Sequence, residues 1–195
     1  MGQTPGVDPQ TGILYVPSRN VHSIMRFRDP EPGEPSTLRY ILSRGGAEFL
    51  EAGSPRRRPQ MPQGLPLWKP PYSRMTAINL NTGDHAWMRP LGDGDRVRNH
   101  PMLRDLNLPP LGGDGSRSGP LVTKTLLLLG VNDRRGGGEP VLNAFDKATG
   151  EIVRSVEIPA GLTGTPMTYM AGGKQYIVAA YGSGAEAGMV SLTLP

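Results

Sequence analysis

Eleven residues, AINLNTGDHAW (Ala77–Trp87), recur 67 positions later as AFDKATGEIVR (Ala144–Arg154), with Ala, Thr and Gly in identical places. A phrase written twice marks a supersecondary unit used more than once, which constrains the fold before any single residue does. Each copy reads as strand, tight turn, strand. In the first, Met75, Ala77, Ile78 and Leu80 form the strand, Asn81-Thr82-Gly83 the turn and His85 to Arg89 the return. Glycine supplies the positive φ such a turn needs, and an Asn or Asp beside it hydrogen-bonds its own backbone.

The composition agrees with many short strands. Gly (27) and Pro (21) make up about a quarter of the 195 residues, so turns are frequent and long helices are disfavoured. There is no cysteine, which excludes disulfides and thiolate metal sites. The first twelve residues, MGQTPGVDPQTG, do not read as a signal peptide, and the longest aliphatic run, TLLLLG, is too short to span a bilayer. The net charge of +4 is unevenly placed: between Ser54 and Arg74 stand Arg56, Arg57, Arg58, Lys69 and Arg74 with no acid. Such a patch attracts phosphate or nucleic acid, or is simply a solvated Pro-rich loop. No aromatic-interleaved RNA motif or helix-turn-helix pattern accompanies it, so the solvated loop is expected and nucleic acid is not.

Along the chain, DPQTGILYVPS (Asp8–Ser18) reads as a turn leading into a strand. The pattern then dissolves over about 24–66 into an excursion of prolines, arginines and acids, in which a piece such as TLRYIL is strand-like. A second excursion covers about 92–118. Beyond it, PLVTKTLLLLG, VLNAFD, EIVRSVEIP, TPMTYM, KQYIVAAYG and GMVSLTLP are strand candidates separated by turns. Short strands at even spacing with a repeated turn phrase predict an all-β fold, a partial β-propeller of about three blades, where a closed ring has typically 4–8.

The ordered set of phrases resembles a known family. AINLNTGDHAW and AFDKATGEIVR resemble the tryptophan-docking motifs of the quinoprotein dehydrogenases, eight-bladed propellers that bind pyrroloquinoline quinone (PQQ). IPAGLTGTPMTYMAGGKQYIVAAYG (Ile158–Gly182) resembles their closing passage. KPPYSRMTAINL, HPMLRDLNLPPLG and GPLVTKTLLLLG resemble the glucose and sugar dehydrogenase branch. The resemblance implies that residues 1–195 are the C-terminal segment of such an enzyme, with a signal sequence and several N-terminal blades upstream of Met1. It implies PQQ and Ca²⁺ as cofactors, with the calcium ligands, the general-base aspartate and the residue polarising the quinone all upstream. It further implies an alcohol or sugar substrate, a quinone or cytochrome electron acceptor and a periplasmic location.

For this segment the resemblance points to Asn20, ending the strand ILYVPSRN, as a cofactor contact, with Arg19 the alternative under a one-residue register shift; an ordinary turn residue after a strand is the plain reading of Asn20. A side-chain amide can donate to a quinone oxygen. In SRSGPLVT, Ser118 and Gly119 stand where the family's backbone closes near the cofactor edge, although Gly before a strand also reads as a turn. Trp87 is expected to dock one blade on the next, and Arg154, at the same place in the second copy, to lose or replace that contact. His22, His85 and His100 lack partners at metal spacing, and GDGD is too short for a calcium loop. No hydrolase elbow or phosphate-cradling loop is present. Two rivals remain beside the dehydrogenase: a non-enzymatic propeller scaffold of the outer-membrane assembly type, and a truncated product without function. Alone, the chain is expected to be inactive.

Overall fold

A computed structural model describes residues 4–22, 24–44, 61–133 and 138–193. The chain divides into two compact units, Met1–Asn20 with Pro70–Pro195, and Val21–Lys69. In the larger unit, β1 (Gly6–Asp8) and β2 (Ile13–Arg19) lead into the first excursion, whose β3 (Met25–Arg28) and β4 (Ile41–Arg44) pair as a hairpin in the smaller unit. The chain returns as β5 (Ser73–Asn79) and β6 (His85–Pro90), completing an antiparallel sheet of order β1-β2-β5-β6. After the short helix α1 (Asp95–Arg98), β7 (Leu121–Val122), β8 (Leu126–Val131), β9 (Val141–Asp146) and β10 (Ile152–Glu157) form a second four-stranded sheet. A third sheet of the described residues has three strands, β11 (Met167–Ala171), β12 (Lys174–Tyr181) and β13 (Gly188–Thr193). This is the expected partial propeller: two four-stranded antiparallel sheets and a three-stranded one, with no closed ring.

The two copies of the repeated phrase fold alike, down to the hydrogen bonds of their turns, with one more at Asp146 than at Asn79. Gly83 N donates to Asn79 O at 2.7 Å and Gly150 N to Asp146 O at 2.8 Å. Asn79 Oδ1 accepts from Asn81 N, and Asp146 Oδ1 from Ala148 N and Thr149 N. The threonine hydroxyls, Thr82 Oγ1 and Thr149 Oγ1, each accept from the N–H two residues on. Register is also copied: Ala77 faces Trp87 and Ala144 faces Arg154, each beside a one-residue irregularity in the return strand. The same turn occurs a third time at Asp8-Pro9-Gln10-Thr11-Gly12, where Gly12 N donates to Asp8 O and Gln10 N to Asp8 Oδ1.

Packing between sheets follows from strand alternation. Leu127 and Leu129 point to the first sheet and join Tyr15, Met75, Ala77 and Phe145 in one core. Leu128 points the other way, packing with Leu142, Ile158, Leu162 and Ala179 toward the third sheet. A strand buried on both faces needs an unbroken apolar run, which is why TLLLLG shows no alternation.

Trp87 locks the first two sheets together. Its Nε1 donates to Lys147 O at 3.1 Å, and a Cβ added at Gly150 would sit 2.5 Å from Trp87 Cε3, so the indole lies flat against the glycine of the next copy. Tyr15 OH donates to the same carbonyl at 3.1 Å, with its ring 5.8 Å from Trp87. Lys147 Nζ donates to Asp8 Oδ2 at 2.6 Å and to Thr123 O at 3.2 Å. The lysine hydrogen bond, with that of Thr11, holds the Asp8 carboxyl down to about 2. The second junction is different. Arg154 is exposed, and Gly172 and Gly173, in the hairpin turn of the third sheet, meet nothing within 4 Å. The docking contact is lost there, as the substitution of Trp by Arg implies.

Candidate functional site

The turns carrying Asp8 and Lys147 gather at one end of the first two sheets, so the long connections must leave from the other. At that opposite end stand Asn20 after β2, Pro70 to Tyr72 before β5, the 91–120 connection after β6, and Asn132 and Asp133 after β8. Alternating strand direction alone brings these strand ends together there.

Each connection is pinned by backbone pairing. Asn20 N donates to Tyr72 O at 2.8 Å and Tyr72 N to Leu111 O at 2.8 Å. Ser73, fully buried, donates its hydroxyl to Leu91 O at 2.7 Å and accepts from Asp114 N at 2.8 Å. Asp114 is buried and acts as a clamp: Oδ1 accepts from Ser116 N at 2.7 Å and Asn132 N at 2.8 Å, and Oδ2 from Ser116 Oγ at 2.9 Å. A buried carboxylate is tolerated when several N–H and O–H groups converge on it.

Asp133 is the exception. It is 5% exposed, Oδ2 accepts from Gly94 N at 2.8 Å, and among the described residues Oδ1 has no partner. Burial pushes its carboxyl up from the ordinary value, against the Gly94 hydrogen bond, and the charges of Asp95, Asp93 and Asp114 push the same way. Gly92 and Gly94, both at positive φ, bring backbone against this side of the loop end, with the Asp133 carboxyl 3.1 Å from where a Gly92 Cβ would stand. No sequence pattern singled Asp133 out, because its character comes from neighbours distant in the chain.

The residues expected at the cofactor fall into two settings. Asn20 is exposed, and its Nδ2 donates to Pro71 O at 2.9 Å, which fixes the amide and leaves its second N–H and its oxygen at the surface. Arg19, the alternative, is also exposed. Ser118 is fully buried, its hydroxyl 3.1 Å from Gly119 O and 3.2 Å from Gly164 O. Gly119 is packed so that a Cβ would meet Thr165 Oγ1 at 2.5 Å and Thr4 Cβ at 3.1 Å. Both residues are buried as whole residues, backbone included. The basic run Arg56–Arg58 lies outside the described residues. A groove of about 990 Å³ opens between β6 and β9–β10, lined by Met88, Val141, Phe145 and Ile152 with Asp133 among its polar walls; none of Asn20, Ser118 and Gly119 lines it. Among the described residues no three His, Asp or Glu side chains come together as a metal would require.

Comparison with known proteins gives this geometry a context. Residues 2–177 match the family described as glucose/ethanol/alcohol dehydrogenase, beta-propeller domain, under the heading PQQ. The quinate/shikimate dehydrogenase (quinone) of Acinetobacter baylyi is 33% identical over 125 residues, 61% of this chain and 14% of that protein. The quinoprotein glucose dehydrogenase of Escherichia coli K12 is 30% identical over 125 residues, 62% of this chain and again 14% of that protein. The chain thus spans about one seventh of the length of these curated relatives. Among solved structures, quinohemoprotein alcohol dehydrogenase from Comamonas testosteroni superposes with a TM-score of 0.51 at 20% identity, covering 92% of this chain and 22% of that one.

Proposed function

We propose a function from one premise: the chain belongs to the β-propeller family of PQQ-dependent glucose, ethanol and alcohol dehydrogenases. It supplies the C-terminal blades of a longer periplasmic enzyme that oxidises an alcohol, a sugar or a related polyol. Electrons leave to a quinone or a cytochrome. PQQ, when bound, is the hydride acceptor; the protein positions it and tunes it.

The observation that carries the reading is the exposed Asn20 amide, held by the Pro71 carbonyl at the loop end of the first sheet. An amide fixed through one N–H presents the other as a donor in a set direction, which suits a carbonyl-rich planar ligand. On this reading Asn20 donates to the group from the side, and the buried Ser118 and Gly119 hold the loop that backs it. The buried hydroxyls of Ser73, Ser116 and Ser118 take no part beyond holding these loops still. The calcium ligands and the base that removes the substrate's hydroxyl proton come from the blades that the relatives carry outside the matched span.

The test is a dye-linked dehydrogenase assay with PQQ, Ca²⁺ and quinate, glucose or ethanol. The reading frame extended upstream should yield a product that reduces dye, and Asn20→Ala should raise the PQQ concentration it needs by about tenfold, the loss of one hydrogen bond to a polar ligand group. The 195-residue chain alone should show no turnover. Robust dye reduction by that chain alone would place the chemistry in residues not assigned to it and overturn the reading.

A further inference from the structure

The described residues of the smaller unit leave an apolar face of its hairpin uncovered. In the β3–β4 hairpin Phe27 pairs directly with Leu42, and Met25 lies two residues before Phe27 on the same face. Phe27 is 75% exposed, Leu42 57% and Met25 50%, with Tyr40 also exposed at the end of the connection. Single exposed apolar residues need no explanation, but a contiguous exposed patch does. The hairpin is not loosely built. Arg28 closes its loop through a two-pronged pair with Glu34, at 2.9 and 3.0 Å, and Glu31 N donates to the same carboxylate.

That pair also sorts the charges. Arg28 is neutralised by Glu34, whereas the exposed Arg26 and Arg39 have no carboxylate partner among the described residues, and Arg39 lies 5.2 Å from the Tyr40 ring centroid. The segment Val21–Lys69 holds eight basic residues against five acidic ones, most of the chain's surplus of positive charge. An apolar wedge containing aromatic rings and flanked by unpaired arginines is the composition of a segment that lies in the headgroup region of a bilayer. Rings and aliphatic side chains enter the acyl boundary, and guanidinium groups on long stems reach the phosphates.

We propose that the β3–β4 hairpin docks on an anionic lipid surface, with Met25, Phe27 and Leu42 inserted and Arg26 and Arg39 on the headgroups. The occupant is a lipid surface and not a protein because its charge complements the unpaired arginines, and because a long-chain quinone is reached from the lipid. The second argument rests on the quinone acceptor proposed above; the first does not.

The test is co-sedimentation of the 195-residue chain with phosphatidylcholine vesicles containing or lacking phosphatidylglycerol. It needs no cofactor and no turnover, so it can fail while the dehydrogenase reading stands, and succeed if that reading falls. The chain should bind the anionic vesicles, with binding weakened several-fold by raised salt. The double variant Phe27→Ser, Leu42→Ser should reduce binding about tenfold or more, since two exposed side chains no longer gain from insertion. Arg26→Ser with Arg39→Ser should abolish the preference for phosphatidylglycerol. Circular dichroism of both variants should match the parent, because every substituted side chain is exposed. If the parent ignores both kinds of vesicle, or the Phe27 and Leu42 variant binds as well as the parent, the face is covered by protein and the proposal is wrong.

Discussion

Gly150→Ala isolates the docking of one sheet on the next. Two terms oppose an alanine there. The φ of +73° lies in the left-handed region, where a Cβ costs about 1–2 kcal/mol. The new methyl would also stand 2.5 Å from Trp87 Cε3, and forcing extra carbon into a packed contact adds roughly 1–3 kcal/mol. Gly83 is the internal control: it occupies the same place in the first copy at φ +81°, but nothing lies within 4 Å of its missing Cβ, so Gly83→Ala carries only the backbone term. Urea unfolding followed by circular dichroism should therefore show Gly150→Ala less stable than Gly83→Ala by about 1–3 kcal/mol. In a Trp87→Ala background the two glycine substitutions should have equal effects, because the clash has gone and the φ term remains. Equal losses for Gly150→Ala and Gly83→Ala in the parent would refute the docking account.

Acid titration probes the same junction from the other side. Asp8 has its carboxyl lowered from 3.8 to about 2 by Lys147 and Thr11, so its stabilisation is complete above about pH 4 and disappears as the pH falls toward 2. The melting temperature of Asp8→Asn should accordingly fall less steeply than that of the parent between those limits; parallel curves would remove Lys147 from the junction. Tyr15 behaves in the opposite sense. Burial, with the Asp8 and Asp146 charges, pushes its hydroxyl up to about 12, so its contribution holds below pH 10 and is lost as the pH rises toward 12, a loss that Tyr15→Phe should abolish. Asp133 should titrate above the ordinary aspartate value in a carbon-13 NMR experiment, since burial and three neighbouring aspartates favour its neutral form; titration at or below that value would mean that Oδ1 has found a partner.

Local chemistry made the repeat readable. Asn79, Thr82 and Gly83 fold their own turn through contacts two to four residues apart, so the sequence shows them directly, and the six strand candidates after the second excursion appear as the seven strands β7 to β13, PLVTKTLLLLG dividing into β7 and β8. Trp87 was legible as a docking residue through the family resemblance of its phrase; its target, the Lys147–Gly150 turn, belongs to the other copy. The strand-like TLRYIL is displaced, with pairing confined to Ile41–Arg44, since β4 is set by its partner β3 and by the Arg28–Glu34 closure and not by its own propensity. The turn at Asp8, legible as one leading into a strand, proves to be a third copy of the same motif, joining β1 to β2. At the candidate site, the exposure of Asn20 and the burial of Ser118 depend on loops 50 residues apart in sequence, and Asp133 acquires its character from Gly94 and three distant acids. Such long-range terms leave no mark on a linear pattern.

The most direct test of the central claim is to read the coding DNA upstream of the Met1 codon through the length of several more blades. The account predicts an in-frame continuation with further phrases of the AFDKATG type, each with a tryptophan placed to dock on the next glycine. An in-frame stop a few codons upstream would contradict it, leaving three sheets with no ring to complete and no blades to supply calcium ligands or the base.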